Sequence, residues 1–170
     1  MKDKWTIKII ITAFIISFIF SALSETIMPK VNVLVSIIAL IIFILIGIIF
    51  DMVGVAITTC DIKPFHSMNS KKLKYAKTGI MLINNQAKVS SFCNDVIGDI
   101  CGIISGSAGV IIASTLSTKL NIDLFIISLI ITSTIAALTI GGKSLGKTIA
   151  LKNNTAIIKT FSKIMSIFVK

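Results

Sequence analysis

Four stretches of about twenty residues that carry almost no charge decide what this chain can become. Trp5–Ile27 reads WTIKIIITAFIISFIFSALSETI, and Val31–Phe50 reads VNVLVSIIALIIFILIGIIF with no charge at all. Val96–Leu116 and Ile122–Ile140 follow the same pattern, with acids only near the start of each. At ~1.5 Å per helical residue, each stretch is long enough for a ~30 Å hydrocarbon layer. Lipid offers no partner to backbone N–H and C=O groups, so such stretches must be helical. Of the 170 residues, 55% are hydrophobic and only 14% charged, which is too apolar for an ordinary soluble domain. The fold class read from this is all-α. It is a polytopic membrane bundle of four transmembrane helices in one domain, 1–170, with an extra N-terminal span at 5–27 and core helices at 31–58, 93–116 and 122–142.

All 17 basic residues are lysine, and their placement predicts topology. Lys2, Lys4 and Lys8 precede or open the first span, and residues 59–92 hold six more lysines. Another six follow the fourth span from Lys143 onward, whereas the 26–31 and 116–123 turns hold only Lys30 and Lys119. Both termini are therefore expected in the cytoplasm of a multi-pass cell-membrane protein. The net charge of +10 calls for an anionic lipid surface and no nucleic acid. "SALSE" at the end of the first span resembles a signal-peptide cleavage site, but the apolar run is long for that role, and an uncleaved anchor is expected. Trp5 reads as an interfacial anchor.

Two further segments read as basic amphipathic helices on the inner leaflet. In 67–85, Leu73, Ala76, Ile80 and Ile83 form the apolar stripe. In 154–169 it is Ile157, Phe161, Ile164 and Phe168. Packing against partner helices is the alternative for both.

The acids within the apolar helices carry the functional signal. Asp95, Asp99, Gly102, Gly106, Gly109 and Ala113 share one face of the third span, and glycines allow close helix approach in lipid. Gly47, Asp51, Gly54 and Thr58 form a similar stripe on the second span. Ser128, Thr132, Ala136 and Thr139 form one on the fourth, leading to Lys143. Lysine topology puts Asp51, Asp95, Asp99 and Lys143 in the cytoplasmic half of the bundle. A charge at the bilayer centre costs about 2.5–3.5 kcal/mol, so these carboxylates need a partner. Oxygen ligands suit hard divalent cations such as Mg²⁺. The predicted metal ligands are Asp51, Asp95 and Asp99, with Ser105 and Thr132 as weaker candidates. Lys143 is either a gate or a counter-ion. The plainer alternative leaves Asp95 and Asp99 at the interface, facing water or Lys143. Glycine seams also predict a homodimer.

Other motifs carry less. Gly141–Thr148, GGKSLGKT, fits the phosphate-loop pattern, but a membrane helix precedes it where a strand is required. Its glycines are expected to end the fourth span and turn the chain. His66 has no partner at ligand spacing, and Pro64 is expected to end a helix or make a turn. Cys60, Cys93 and Cys101 form neither a disulfide framework nor a zinc pattern. With no nucleophile constellation, no enzyme is expected.

The order of parts resembles the membrane domain of the CorB/CorC/CNNM magnesium and cobalt transport family, over residues 31–168. The resemblance rests on "IFDMVGVA" at 49–56, the basic segment 67–85, "NDVIGDIC" at 94–101 and "GKSLGKTIA" at 142–150. It implies a divalent-cation transporter. Asp51 stands at the first small polar position of the family's opening motif. Asp95 and Asp99 stand where the family has ion-site asparagines spaced i, i+4. Lys143 replaces a glutamate, and the family's CBS domains have no counterpart in these 170 residues. The second expectation is a non-transporting scaffold or accessory subunit in which Lys143 neutralises the aspartates. A proton-coupled carrier is a third.

Overall fold

The computed structural model describes residues 2–27 and 31–168. The side chains of 2–6 and 168, like residues 28–30, fall outside that set, so the expectations for Trp5, Lys30 and Phe168 lie outside the described residues. Every regular element among the described residues is helical: α1 (Lys2–Ile27), α2 (Val33–Thr59), α3 (Lys63–Ser70), α4 (Lys74–Asn84) and α5 (Gln86–Ser91). A π-helical turn (Phe92–Gly98) then leads into α6 (Asp99–Leu120), followed by α7 (Leu124–Lys152) and α8 (Asn154–Phe168). Four helical stretches are long and apolar enough to cross a membrane: Ile7–Ile27, Val33–Thr59, Gln86–Leu120 and Leu124–Lys152.

The chain divides into two compact units. The first comprises Met1–Ile48 and Val96–Gly142, the second Ile49–Asp95 and Lys143–Lys170. In the first unit α6 is central and buries Ile100, Cys101, Ile104, Ser105, Ala108, Gly109, Ile112 and Ala113. Ile9, Ala13 and Ile16 of α1 pack on Val96, Ile100 and Ile104. On another side, Leu40 and Ile44 of α2 meet Ala108 and Ile112, flanked by Ile131 and Ile135 of α7. Helix contact in lipid depends on backbone approach, and three glycines mark where it happens. A Cβ on Gly109 would stand 2.4 Å from Ile135 Cδ1, one on Gly142 2.2 Å from Ile48 Cδ1, and one on Gly47 3.2 Å from Cys101 Cβ. The helices end with ordinary chemistry. Asn121 takes the left-handed conformation after α6 (φ 53°), and Asp123 Oδ1 accepts the Phe125 N–H at 2.7 Å to cap α7.

The second unit has a core of fully enclosed large side chains. Ile57, Phe65 and Ile158 are fully buried with Val53, Leu82, Ile83, Cys93 and Ala150. Gly79 of α4 lies against Phe65, where a Cβ would come within 2.3 Å of the ring. Asn154 stitches two helix ends together. Its Nδ2 donates to the Thr59 carbonyl at the end of α2 at 2.8 Å, while its Oδ1 accepts the Thr155 N–H at 2.6 Å. Both bonds satisfy groups that a helix terminus leaves without partners.

Three sequence expectations are corrected. The helix expected over 67–85 is two helices, broken where Lys72 adopts a left-handed conformation (φ 59°). Pro64 opens α3 rather than ending a helix, since its missing N–H costs nothing in a first turn. Gly141 and Gly142 do not end the fourth span, because α7 runs unbroken to Lys152. The amides of GGKSLGKT are therefore spent inside a helix and form no phosphate cradle. Of the two amphipathic segments, the first makes helix–helix contacts. α4 buries Ala76, Thr78, Gly79, Leu82 and Ile83, and it packs against α3 and α8.

Candidate functional site

The second unit holds the one predicted carboxylate that is buried. Asp51 lies in the last third of α2 and is only 5% exposed. Its neighbours on that helix face, Gly47 and Gly54, are buried as expected, but Thr58 is exposed. Asp51 Oδ2 is buried and has no hydrogen-bond partner. Two further oxygens in this unit share that condition, Oγ of Ser162, which lies near Gly79 of α4, and Oδ1 of Asn94. The Asn94 amide rests directly on Gly54, where a Cβ would stand 1.9 Å from Oδ1. Gly54 follows Asp51 by three residues, so the amide packs one helical turn from the carboxylate on the same face of α2. Only a glycine at position 54 leaves room for it.

Asn94 was not among the predicted ligands, although it sits next to one. It falls in the π-helical turn Phe92–Gly98. Such turns are rare and concentrate at functional sites, because the wider i→i+5 spacing re-aims side chains. The Asx pattern in "NDVIGDIC" was visible. What singles out Asn94 over Asp95 is its contact with Gly54, which no periodicity reveals.

The remaining predicted residues fall as follows. Asp95 in the second unit and Asp99 in the first are both exposed, and so is Gly102. The expectation that this acidic stripe is a packing face of the single chain is therefore corrected for its first half, while Gly109 and Ala113 further along are buried. A Cβ on Gly102 or Gly106 would meet nothing within 4 Å. These two glycines instead border a recess of about 280 Å³ with Thr132, Ala136 and Thr139 of α7, so the small-residue stripes of α6 and α7 do meet. Ser105 is buried and donates to the Cys101 carbonyl at 2.7 Å. Thr132 is exposed and donates to the Ser128 carbonyl at 2.7 Å. Both hydroxyl protons are thus held by their own helices. Lys143 is half-buried, and among the described residues it makes no ion pair with Asp51 or Asp95. Among the described residues, no three His, Cys, Asp or Glu side chains gather in a group able to hold a metal. His66 is exposed.

Cys60, Cys93 and Cys101 are all buried. Burial pushes the Cys60 thiol above its ordinary range; the contact with Thr155 Oγ1 at 3.9 Å pulls back against this, and nearby Asp61 adds to the rise. Cys60 is accordingly a poor thiolate and a packing residue.

No protein-family model, curated protein or solved structure matches this chain. What the chain itself defines is a helical, multi-pass type of membrane protein, from its four apolar helices. Within it, a buried carboxylate and a neighbouring buried amide oxygen both lack a donor.

Proposed function

We propose that this protein binds a divalent cation, Mg²⁺ above all, at Asp51 and Asn94, and moves it across the membrane. The observation that carries the reading is the pair of buried, unpartnered acceptor oxygens, Asp51 Oδ2 and Asn94 Oδ1, set around Gly54. A buried polar oxygen without a donor costs about 1–3 kcal/mol, and a charged one more. Two such oxygens, one on α2 and one resting on Gly54 a helical turn further along it, accept positive charge and supply none. Mg²⁺ binds through one or two carboxylates and keeps several waters, so it does not need a cage built wholly from protein. Asp95 and Asp99, exposed on the same chain, serve as entry carboxylates in this reading, and Ser105 and Thr132 contribute oxygens only along the path.

The wider reading follows the lysine distribution, with both termini cytoplasmic. It also follows the resemblance in motif order to the CorB/CorC/CNNM membrane domain. Asp99, exposed beside the open Gly102 and Gly106, offers a face for a second copy, which supports a homodimer. The scaffold alternative, in which Lys143 neutralises the aspartates, is the weaker one, because Lys143 is not paired with Asp51 or Asp95.

The test is a Mg²⁺ titration of purified protein in detergent, read as thermal stability, with Ca²⁺ and Na⁺ as controls. Mg²⁺ should raise Tm in the parent, and Asp51→Asn should abolish the rise. A rise that survives both Asp51→Asn and Asn94→Ala ends the proposal.

A further inference from the structure

A second candidate site lies in the same unit, on the other side of α2 from Asp51. Ile49, Met52 and Val53 of α2 face Ala156, Thr160 and Phe161 of α8 across a slot of about 350 Å³. That volume is at the lower end for small-molecule sites. The lining is almost wholly apolar. Its one hydroxyl, Thr160 Oγ1, already donates to the Ala156 carbonyl at 3.0 Å. The slot therefore has nothing to offer a polar ligand along its length and suits a hydrocarbon chain.

Its edge is different. At 3.6 residues per turn, Ala156 and Thr160 lie about 20° and 60° round α8 from Lys163, with Lys159 just beyond. Lys163 is held in place, its Nζ 5.3 Å from the centre of the Tyr75 ring. No acid occurs anywhere from Lys143 to Lys170, and the whole unit has twelve lysines against Asp51, Asp61 and Asp95. An apolar slot with a cationic lip matches a molecule that has a hydrocarbon chain and an anionic head.

We propose that the α2–α8 slot seats one acyl chain of an anionic phospholipid, with the phosphate held by Lys159 and Lys163. Charge complementarity selects this occupant over a zwitterionic lipid. Lysines near a membrane surface each strengthen binding to anionic lipid several-fold. The site makes no use of the Asp51 carboxylate, so it stands whether or not a cation binds there.

The experiment uses the full chain in mixed micelles without divalent cations. Phosphatidylglycerol or phosphatidylcholine is titrated in, and bound lipid is counted by native mass spectrometry alongside Tm. Phosphatidylglycerol should bind about tenfold tighter, at one preferred site. The double variant Lys159→Gln/Lys163→Gln should bring the two lipids level. Ile49→Trp and Thr160→Trp, which fill the slot from either wall, should each remove the preferred site, and either one that retains parental helicity decides the matter. Equal binding of the two lipids by the parent overturns the proposal. So does a preferred site that survives a folded slot-filling variant, or a slot that proves to be a dimer contact broken by Thr160→Trp with no lipid effect.

Discussion

The two units use the same apolar alphabet in opposite ways. In the first, many large hydrophobic side chains are on the outside. Phe14 is 70% exposed, Phe18 66% and Phe125 70%, and only 6% of the most apolar window of α1 is buried. Its inner contacts combine buried Leu40, Ile44, Ile100, Ile104 and Ile112 with small residues and glycines that let backbones close up. In the second, Phe65, Ile57 and Ile158 are fully buried, and most of the lysines stand outside. Lipid adds no hydrophobic drive between helices, so close backbone approach counts for more where spans meet in hydrocarbon than in a core that encloses large side chains. A hydropathy profile records only how apolar a helix is, and α2 and α7, which contribute to both units, show that the answer changes along one helix.

That contrast can be broken by mutation, starting with two phenylalanines. Phe65→Ala should destabilise the protein by about 3–5 kcal/mol, since the ring is wholly enclosed against Gly79. Phe14→Ala on α1 should cost little in detergent unfolding, and equal losses at both positions would erase the distinction. Next come the glycines. Gly54→Ala drives a methyl into Asn94 and should cost about 1–3 kcal/mol and remove the Mg²⁺ response. Gly102→Ala, with open space around it, should be neutral or stabilise by up to about 1 kcal/mol through helix propensity. Thermal melts of the pair with and without Mg²⁺ check both. Asn154→Ala loses the bonds to Thr59 and Thr155 and should cost about 1 kcal/mol, measured the same way. The smallest effect concerns Cys60. Its raised pKa means less thiolate at any given pH, so maleimide labelling should be slow near neutrality and still climbing at pH values where an ordinary thiol has levelled off. Thr155→Val removes a contact that lowers the pKa and should slow labelling further.

The four spans were legible because their signal is long, uniform and physically forced. Helix ends inside the basic segments were less so. Nothing in the apolar spacing of 67–85 marks the left-handed Lys72, and the buried stripe of α4 runs through Gly79 and Leu82 instead of the exposed Leu73. Gly141 and Gly142 misled for a definable reason. Glycine is both a helix stop and a contact residue, and Gly142 is the second kind, pressed on Ile48. Of the candidate site, Asp51 was readable as a charge in an apolar helix flanked by glycines. Asp95 and Asp99 were readable as residues but not as exposed ones, because a small-residue stripe does not say whether its own chain or another body covers it. Asn94 was not singled out, since its significance lies in the lack of a donor, and a vacancy in a hydrogen-bond pattern leaves no trace in composition or period.

The wide turn at Phe92–Gly98 has a consequence for how this chain tolerates length changes. Its i→i+5 spacing accommodates one residue more than an α-helix would over the same rise. A single-residue deletion there would let the helix tighten into ordinary geometry without leaving a gap. The helices on either side of the cut would keep their phase, and only the side chains within the turn would be re-aimed. Asn94 would swing off Gly54, while the Gln86–Leu120 stretch lost one residue and the other three kept their length and hydropathy. The reading frame of this one turn, more than the identity of any single residue in it, sets which oxygen stands beside Asp51.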